Sequence, residues 1–306
     1  MKILALDSTA KVAAAALLDD DRLLCKAAVS DAMTHSATLL PEIERLLKDA
    51  DLTFADIDLF AASAGPGSFT GVRIGAATLK GIAFGRNKPC CAVSALEALA
   101  YNLRRTDGIV CALMDARRGQ FYTATFAVAD GKVTRLSPDE AKSGEAIAAS
   151  LAAYPHVTLV GDGAAVALSF FDGLPVELCP EENRLADGES VGLVAYAMYR
   201  AGRTVSDADF APVYLRLPQA ERERLEKEKA ADADVVTDTD EVEELEPEPA
   251  DTDIVDAEEV EELEEEPAIA EYEEESATEE PDAVVDMEVT QEPAAEIPEV
   301  PEETTA

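Results

Sequence analysis

The sequence has no tryptophan and only two histidines, His35 and His156, which lie far apart along the chain. A zinc site built on histidine would need further ligands, and none stands at a suitable spacing. The five cysteines show no Cys-x-x-Cys spacing, which favours reduced, buried thiols over a disulfide framework. We find no signal peptide and no apolar run near 20 residues, so the sequence predicts a cytoplasmic protein without a membrane segment.

Basic residues are absent from residues 231–306, which hold 33 Asp and Glu. The 306-residue chain has a net charge of −39, but residues 1–230, with 31 acids and 25 bases, account for only −6 of it. The acidity therefore belongs to one segment, whose like charges repel and whose composition predicts disorder. The remaining part is long enough for one large domain or for two of about 100 residues each.

Short apolar segments separated by polar turns occur twice in the sequence. MKILALD, VAAAALL and RLLCKAAVS predict an antiparallel meander, which alternating helices and strands follow. GIVCALMDARRGQFYTATFAVADGKVTRLS starts the same pattern again. The repetition predicts an α/β fold of two related halves, residues 1–106 and 107–218, each a mixed sheet covered by helices. Residues 219–306 are interpreted as a charged linker and an acidic tail.

Two of the helices predicted in the first half carry most of the information about function. In the first, residues 36–50, Leu39, Ile43 and Leu46 recur at helical spacing. The second, residues 70–84, is apolar or small nearly all round and contains three glycines, although each interior glycine costs about 1 kcal/mol relative to alanine. Such a helix is covered on more than one side. Either another element of the fold or a partner subunit covers the side that faces away from the sheet.

Two turns are candidates for contact with phosphate groups. One joins the first two strands and offers small hydroxyl groups and a carboxylate that could hold a hydrated cation. The other is a glycine-rich loop that leads into a helix N-terminus. Neither matches a P-loop or a Gly-x-Gly-x-x-Gly motif, and the glycine-rich loop is equally consistent with a tight turn. The candidate cofactor-binding residues are Asp7, Ser8, Thr9, Gly65, Gly67 and Ser68.

Few residues suggest acid–base or nucleophilic chemistry. Asp7, Asp115 and Asp162 lie at ends of predicted strands, where catalytic carboxylates occur but where aspartate also commonly forms turns. No Ser-His-Asp set and no Gly-x-Ser-x-Gly motif is evident. We therefore assign no catalytic residue.

Seven segments together carry a resemblance to a known family over about residues 1–218. Taken in chain order they resemble the bacterial TsaB (YeaZ) family, which implies an actin/Hsp70/sugar-kinase-like fold in agreement with the repeated pattern. The family also implies a role in making threonylcarbamoyladenosine in tRNA, beside the anticodon. There the chain would be the non-catalytic partner of the catalytic paralogue TsaD, and the ATPase TsaE and tRNA would join the complex. The segments are LALDSTA, THSATLLPEIERLL, SAGPGSFTGVRIGAATLKGIAFG, VSALEALA, MDARRGQFY, VGDGA and PVYLRLP.

The resemblance also implies which residues are functional. The paralogue carries a His-x-x-x-His metal site just after the strand that follows its own Gly-Pro-Gly loop, and Ala95 and Leu99 stand at the matching positions here. The helices 36–50 and 70–84 are expected to pack against TsaD or against a second copy of this chain. ATP or ADP with Mg²⁺ is expected only at the interface of the complex. The predicted interface residues are Leu39, Ile43, Leu46, Arg73, Ile74, Ala76, Ala77 and Lys80.

One alternative from a different class remains open at this point. The chain could be an independent ATP-using enzyme of the sugar-kinase-like fold. Asp7 and the Gly-Pro-Gly loop would then handle phosphate groups.

Overall fold

The first sheet has five strands. The computed structural model describes residues 1–29 and 35–216, and the charged linker and acidic tail predicted over 219–306 lie outside them. The strand order is β3-β2-β1-β4-β5, with the first three strands antiparallel and β4 and β5 parallel to β1. The elements are β1 (Lys2–Asp7), β2 (Ala13–Asp19), β3 (Arg22–Val29), α1 (His35–Asp49), β4 (Leu59–Gly65), α2 (Phe69–Ala83), β5 (Cys90–Ser94) and α3 (Ala95–Tyr101).

The second sheet repeats this topology. Its strand order, β8-β7-β6-β10-β11, is the same as that of the first sheet, with β9 added against β7. The predicted fold class is thus confirmed: two related mixed sheets, as in the actin/Hsp70/sugar-kinase-like fold. The elements are β6 (Gly108–Asp115), β7 (Gln120–Ala129), β8 (Lys132–Arg135), β9 (Glu140–Ser143), α4 (Gly144–Leu151), β10 (Val157–Val160), α5 (Ala164–Ala167), β11 (Val176–Leu178) and α6 (Gly188–Arg200), with 3-10 turns at Phe54–Asp56, Leu168–Phe170 and Glu181–Asn183.

The two helices that close the halves are exchanged between the sheets. α3, which ends the first half, packs Leu96 and Leu99 against β6 and β7 of the second sheet. α6, which ends the second half, packs Val191 and Val194 against the first sheet. Each sheet is therefore covered on one face by a helix from the other half. Because this packing buries apolar area, the stability of each half depends on the other.

α1 and α2 cover the opposite face of the first sheet. Their inward side chains join Leu4, Leu6 and Phe60 in one buried cluster. The apolar stripe of α1 is buried in this cluster. Side chains of a strand alternate between the two faces of the sheet, so every second one points toward these helices.

Close backbone approach explains two of the three glycines in α2. A Cβ at Gly71 would overlap the carbonyl oxygen of Ser8, and one at Gly75 would lie 2.6 Å from the Ser8 hydroxyl oxygen. The Ser8 hydroxyl group in turn donates to the Gly71 carbonyl at 2.8 Å. Gly81 differs, because no atom lies within 4 Å of the position of its Cβ. Gly71 and Gly75 thus leave room for the chain's own turn at Ser8, and no helix of a partner is needed to explain them.

A C-terminal segment, residues 203–216, runs along the flank of α2, and we call it the strap. Val205 forms a bridge to Cys90 at the edge of the first sheet, and Phe210 is buried in the core beside α2. The Val213 N–H donates to the Ala64 carbonyl at 2.7 Å. Lys80 of α2 donates to the carbonyl groups of Ala208 and Phe210. The strap is therefore an integral part of the first half.

An ionic cluster joins the N-terminus of α6 to the first half. The Glu189 carboxylate accepts from Arg104 at 2.6 Å and from Lys26 at 3.0 Å, and Lys26 also reaches Asp187. Burial by itself would raise the pKa of Glu189, but the two cations outweigh it and lower this pKa below its ordinary value. The ion pairs therefore contribute most to stability when Glu189 is ionised.

We predict opposite effects for two alanine substitutions in α2. Gly71→Ala should lower stability by about 3 kcal/mol, because the new methyl group overlaps backbone at Ser8. Gly81→Ala should raise stability by up to about 1 kcal/mol, because the site is open and alanine favours the helix. Thermal melting should show both, at about 2–4 °C per kcal/mol. If both variants shifted the melting temperature equally, or if each shifted it in the direction opposite to the one expected, the assignment of Gly71 as a packing residue would be contradicted.

We also predict a pH-dependent effect of Glu189→Gln. At pH 7 the variant should lose about 1 kcal/mol of stability, because two ion pairs are removed. A lowered pKa in the folded state gives stability that is present above the ordinary pKa and lost as the pH falls through the folded value. The difference in melting temperature should therefore shrink below about pH 4. Glu44→Gln, at an exposed position of α1, is the control, and a difference independent of pH would contradict the prediction.

Candidate functional site

The structure brings the two predicted phosphate-contacting turns together, but their polar groups bind each other. The Asp7 carboxylate is buried and accepts from the Thr9 N–H and the Thr9 hydroxyl group, both at 2.8 Å, and from the Ser63 hydroxyl group. Ser8 and Thr9 are also buried. The Ser8 hydroxyl group donates to the Gly71 carbonyl oxygen. These side chains therefore hold the turn together and do not face an open site.

The glycine-rich loop is likewise filled by the chain itself. The Ser68 N–H donates to the Thr9 carbonyl at 2.7 Å, and the Ser68 hydroxyl group accepts from the Gly71 N–H as the N-cap of α2. A Cβ at Gly67 would lie 2.5 Å from the Thr9 carbonyl oxygen, and one at Gly65 would overlap the Val213 carbonyl oxygen of the strap. The Thr9 carbonyl oxygen thus takes up the Ser68 N–H, a donor at the start of α2 that a phosphate would need. These residues do not fit the phosphates of a nucleotide.

The cleft between the two sheets holds little space at this point. A cavity of about 10 Å³, enough for at most one water molecule, lies between Asp7, Ala10, Ala95 and Asp162. Asp162 accepts from the Asp115 N–H at 3.4 Å, and burial raises its pKa, with Lys11 nearby opposing that shift. Asp115 is exposed. Of the three predicted strand-end carboxylates, Asp7 and Asp162 line this small cavity, and Asp115 contacts Asp162 through its backbone N–H.

Four of the eight predicted interface residues are core residues. Leu39, Ile43 and Leu46 of α1 are at most 2% exposed, and Ala76 of α2 is buried as well. We correct the prediction that these four side chains form an interface, because they pack in the core on the chain's own sheet. Their side chains are not accessible to a partner in this structure.

The other four predicted residues lie at or near the outward side of α2. Arg73 and Ala77 are exposed, whereas Ile74 and Lys80 are half-buried at its margins. The exposed positions recur at helical spacing and form one stripe, which we call the outer face of α2. It consists of Thr70, Arg73, Ala77, Gly81 and Phe84.

The outer face of α2 has two features that sequence reasoning missed. Phe84, which follows the last turn, is 77% exposed, which is unusual for a large apolar side chain. At the other end, the Arg73 guanidinium lies 3.8 Å from the centre of the Phe69 ring and donates to the Tyr214 hydroxyl group of the strap at 3.0 Å. Phe84 could have been found from helix periodicity. Tyr214 could not, because it lies 141 residues away.

Comparison with known proteins places this architecture in a family. A family model described as TsaD, tRNA N6-adenosine threonylcarbamoyltransferase, matches residues 30–221. The tRNA threonylcarbamoyladenosine biosynthesis protein TsaB of Escherichia coli is 30% identical over 238 residues, which cover 71% of this chain and 95% of that protein. The chain belongs to the TsaB (YeaZ) family.

Other members of the TsaB (YeaZ) family agree with this placement. TsaB of Bacillus subtilis is 37% identical over 140 residues, but the match spans only 61% of that protein and 46% of this chain. The solved structure of YeaZ from Pseudomonas aeruginosa superposes with a TM-score of 0.63 at 28% identity, covering 70% of this chain and 99% of that one.

Two positions in α3 bear on a metal site in this TsaB-family chain. Ala95 and Leu99, which stand where the resemblance places the paralogue's histidines, are buried and pack against the second sheet. Among residues 1–29 and 35–216 no group of three or more His, Cys, Asp or Glu side chains is placed to hold a metal ion. In the same residues no helix is long and apolar enough to cross a bilayer.

We predict that Mg-ATP and Mg-ADP leave the melting temperature of the isolated chain unchanged at 1 mM. A site with a Kd of about 10 μM would stabilise the folded chain by about 2.7 kcal/mol at that concentration. The expected absence of a shift follows from the filled turns around Asp7 and Gly67. A shift that is abolished by Asp162→Asn would contradict this and would place the nucleotide in the cleft.

Proposed function

We propose that this chain is the non-catalytic partner subunit of the bacterial complex that makes tRNA threonylcarbamoyladenosine, and that it pairs with a TsaD-like paralogue. The support is the family membership together with the E. coli and B. subtilis relatives, which are tRNA threonylcarbamoyladenosine biosynthesis proteins. In this proposal a TsaE-like ATPase and the tRNA join through the complex. Any nucleotide with Mg²⁺ is held at the seam between subunits, since the turns of this chain are filled from within.

The outer face of α2 is the observation that carries the proposal. Its middle consists of Ala77, with a methyl side chain, and Gly81, which has none, so that the backbone of another helix can approach closely. Arg73 at one end and Phe84 at the other are residue types that fit a partner's pockets. An exposed phenylalanine costs solvation free energy unless another surface covers it.

A structural subunit also agrees with the chemistry of α3. Aliphatic side chains at Ala95 and Leu99 cannot ligate a metal, so the proposed catalysis is assigned to the paralogue. The independent ATP-using enzyme is not favoured. It would require Asp7 and the glycine-rich loop to face a ligand, whereas they bind each other and the strap.

We predict that Ala77→Arg weakens pairing with the TsaD-like paralogue by at least about tenfold. The long charged side chain should block close approach of a helix without unfolding the chain, because Ala77 is exposed. Phe84→Ala should weaken pairing as well, as expected when an apolar anchor is removed. Co-purification of the tagged full chain with the paralogue, followed by mass determination, measures both effects and shows whether a homodimer forms instead.

Ala149→Arg is the matched control, because it introduces the same side chain at an exposed position of α4. It should leave pairing intact, and all three variants should melt within a few degrees of the parent. Pairing that survives both Ala77→Arg and Phe84→Ala would contradict the proposed surface. Modification of tRNA by this chain alone would contradict the non-catalytic role.

A further inference from the structure

Arg73 is the charged residue of the outer face of α2, and the chain itself holds its side chain in place. The guanidinium lies 3.8 Å from the centre of the Phe69 ring, and its Nε–H donates to the Tyr214 hydroxyl group at 3.0 Å. The Phe69 and Tyr214 rings contact each other as well, with their centres 5.1 Å apart. A side chain that is already ordered loses less conformational entropy when it binds a partner.

The ordered guanidinium keeps one edge open. Of the five N–H groups of Arg73 only the Nε–H is used, and the four on Nη1 and Nη2 have no partner among the residues that the structure describes. Arg200 of α6 resembles Arg73 in part, because it donates to the Tyr196 hydroxyl group at 3.3 Å and forms no ion pair with the same described residues. The two arginines therefore have to be distinguished by their places in their helices.

The place of Arg73 in α2 favours an anion beside it. Arg73 lies in the second turn of α2, close to the end at which the helix dipole is positive, and no residue of α2 is acidic. Arg200 lies in the last turn of α6, where the helix dipole itself stabilises a cation. An added carboxylate would thus be attracted both by Arg73 and by the N-terminal end of α2.

We propose that Arg73 binds a carboxylate of the TsaD-like paralogue, and that Tyr214 is the positioning residue for this contact. The proposal rests on the proposed function, which supplies the partner. The two Nη groups match the two oxygen atoms of an aspartate or glutamate side chain. Beyond Arg73 the outer face of α2 continues with Ala77 and Gly81, which suit a protein helix, so a protein carboxylate is favoured over an RNA phosphate.

The affinity of the full chain for the paralogue tests the contact. At about 50 mM NaCl, Arg73→Gln should raise the Kd at least about tenfold, and Arg73→Lys should raise it severalfold because lysine lacks the planar fork. The loss in Arg73→Gln should shrink at about 0.5 M NaCl, since salt screens a charged contact at the edge of an interface. Titration calorimetry at both salt concentrations measures these values.

Tyr214→Phe separates positioning from packing. The new ring can keep the contact with Phe69, but the hydroxyl group that holds Arg73 is lost. The Kd should rise about threefold in the parent chain and should not change further in Arg73→Gln, because the two residues act through one contact. A purely structural role of Tyr214 would give the same loss in both backgrounds and would overturn its assignment as a positioning residue.

Arg200→Gln and Tyr196→Phe are the matched controls, because they remove an arginine–tyrosine contact of the same kind from α6. They should leave the Kd unchanged, and all variants should melt within a few degrees of the parent. Zero-length carbodiimide cross-linking, which joins a lysine amine to a carboxylate in contact with it, then identifies the acceptor. In Arg73→Lys the introduced amine should be attached to an Asp or Glu of the paralogue, whereas in Arg200→Lys it should not.

The outcomes separate this proposal from the proposed function. If the parent chain does not pair with the paralogue, both fail. If it pairs, the proposal alone is overturned by an unchanged Kd in Arg73→Gln, by a loss that is independent of salt, or by no attachment at position 73. Unchanged pairing together with weaker tRNA binding by the assembled complex would place an RNA phosphate on Arg73 and would also overturn it.

Discussion

The exchange of α3 and α6 between the two sheets is the constraint on which the rest of the structure depends. Without α6 the first sheet would expose the face that carries Ile3, Leu59 and Val93, and without α3 the second sheet would expose Val110 and Phe126. Burying a side chain of this size contributes about 1.5–3 kcal/mol. The two halves therefore form one cooperative unit. Each half also supplies part of the cleft wall on the side of the other half.

A second consequence of this packing is that the cleft is closed from within. The turn at Asp7 satisfies its own polar groups, and the Thr9 carbonyl accepts the Ser68 N–H at the start of α2. Buried polar groups must find partners, and here the partners are all in the same chain. The same contacts that hold α2 close to the sheet occupy the Ser68 N–H and the Asp7 carboxylate. The proposed function therefore uses the outer face of α2 and not the cleft.

Local patterns predicted the elements and their repetition, because alternation and helical spacing follow from which faces are buried. They could not predict contacts between distant segments. The exchange of helices, the strap against α2 and the Arg73–Tyr214 contact all join segments far apart in sequence. The stripe of Leu39 and Ile43 was found, but its direction was not, because periodicity shows that a face is apolar and not which surface covers it. The four-residue strand β9 has no alternating pattern and was missed.

The strap also determines when, during synthesis of the chain, the flank of α2 is completed. A chain leaves the ribosome from its N-terminus, so α2 emerges well before the residues that complete its flank. Lys80 finds its carbonyl partners at Ala208 and Phe210, and Arg73 finds Tyr214, only after the whole second half has been synthesised. The proposed partner surface, the outer face of α2, is therefore completed only after the second half. A nascent or truncated chain presents an incomplete version of this surface.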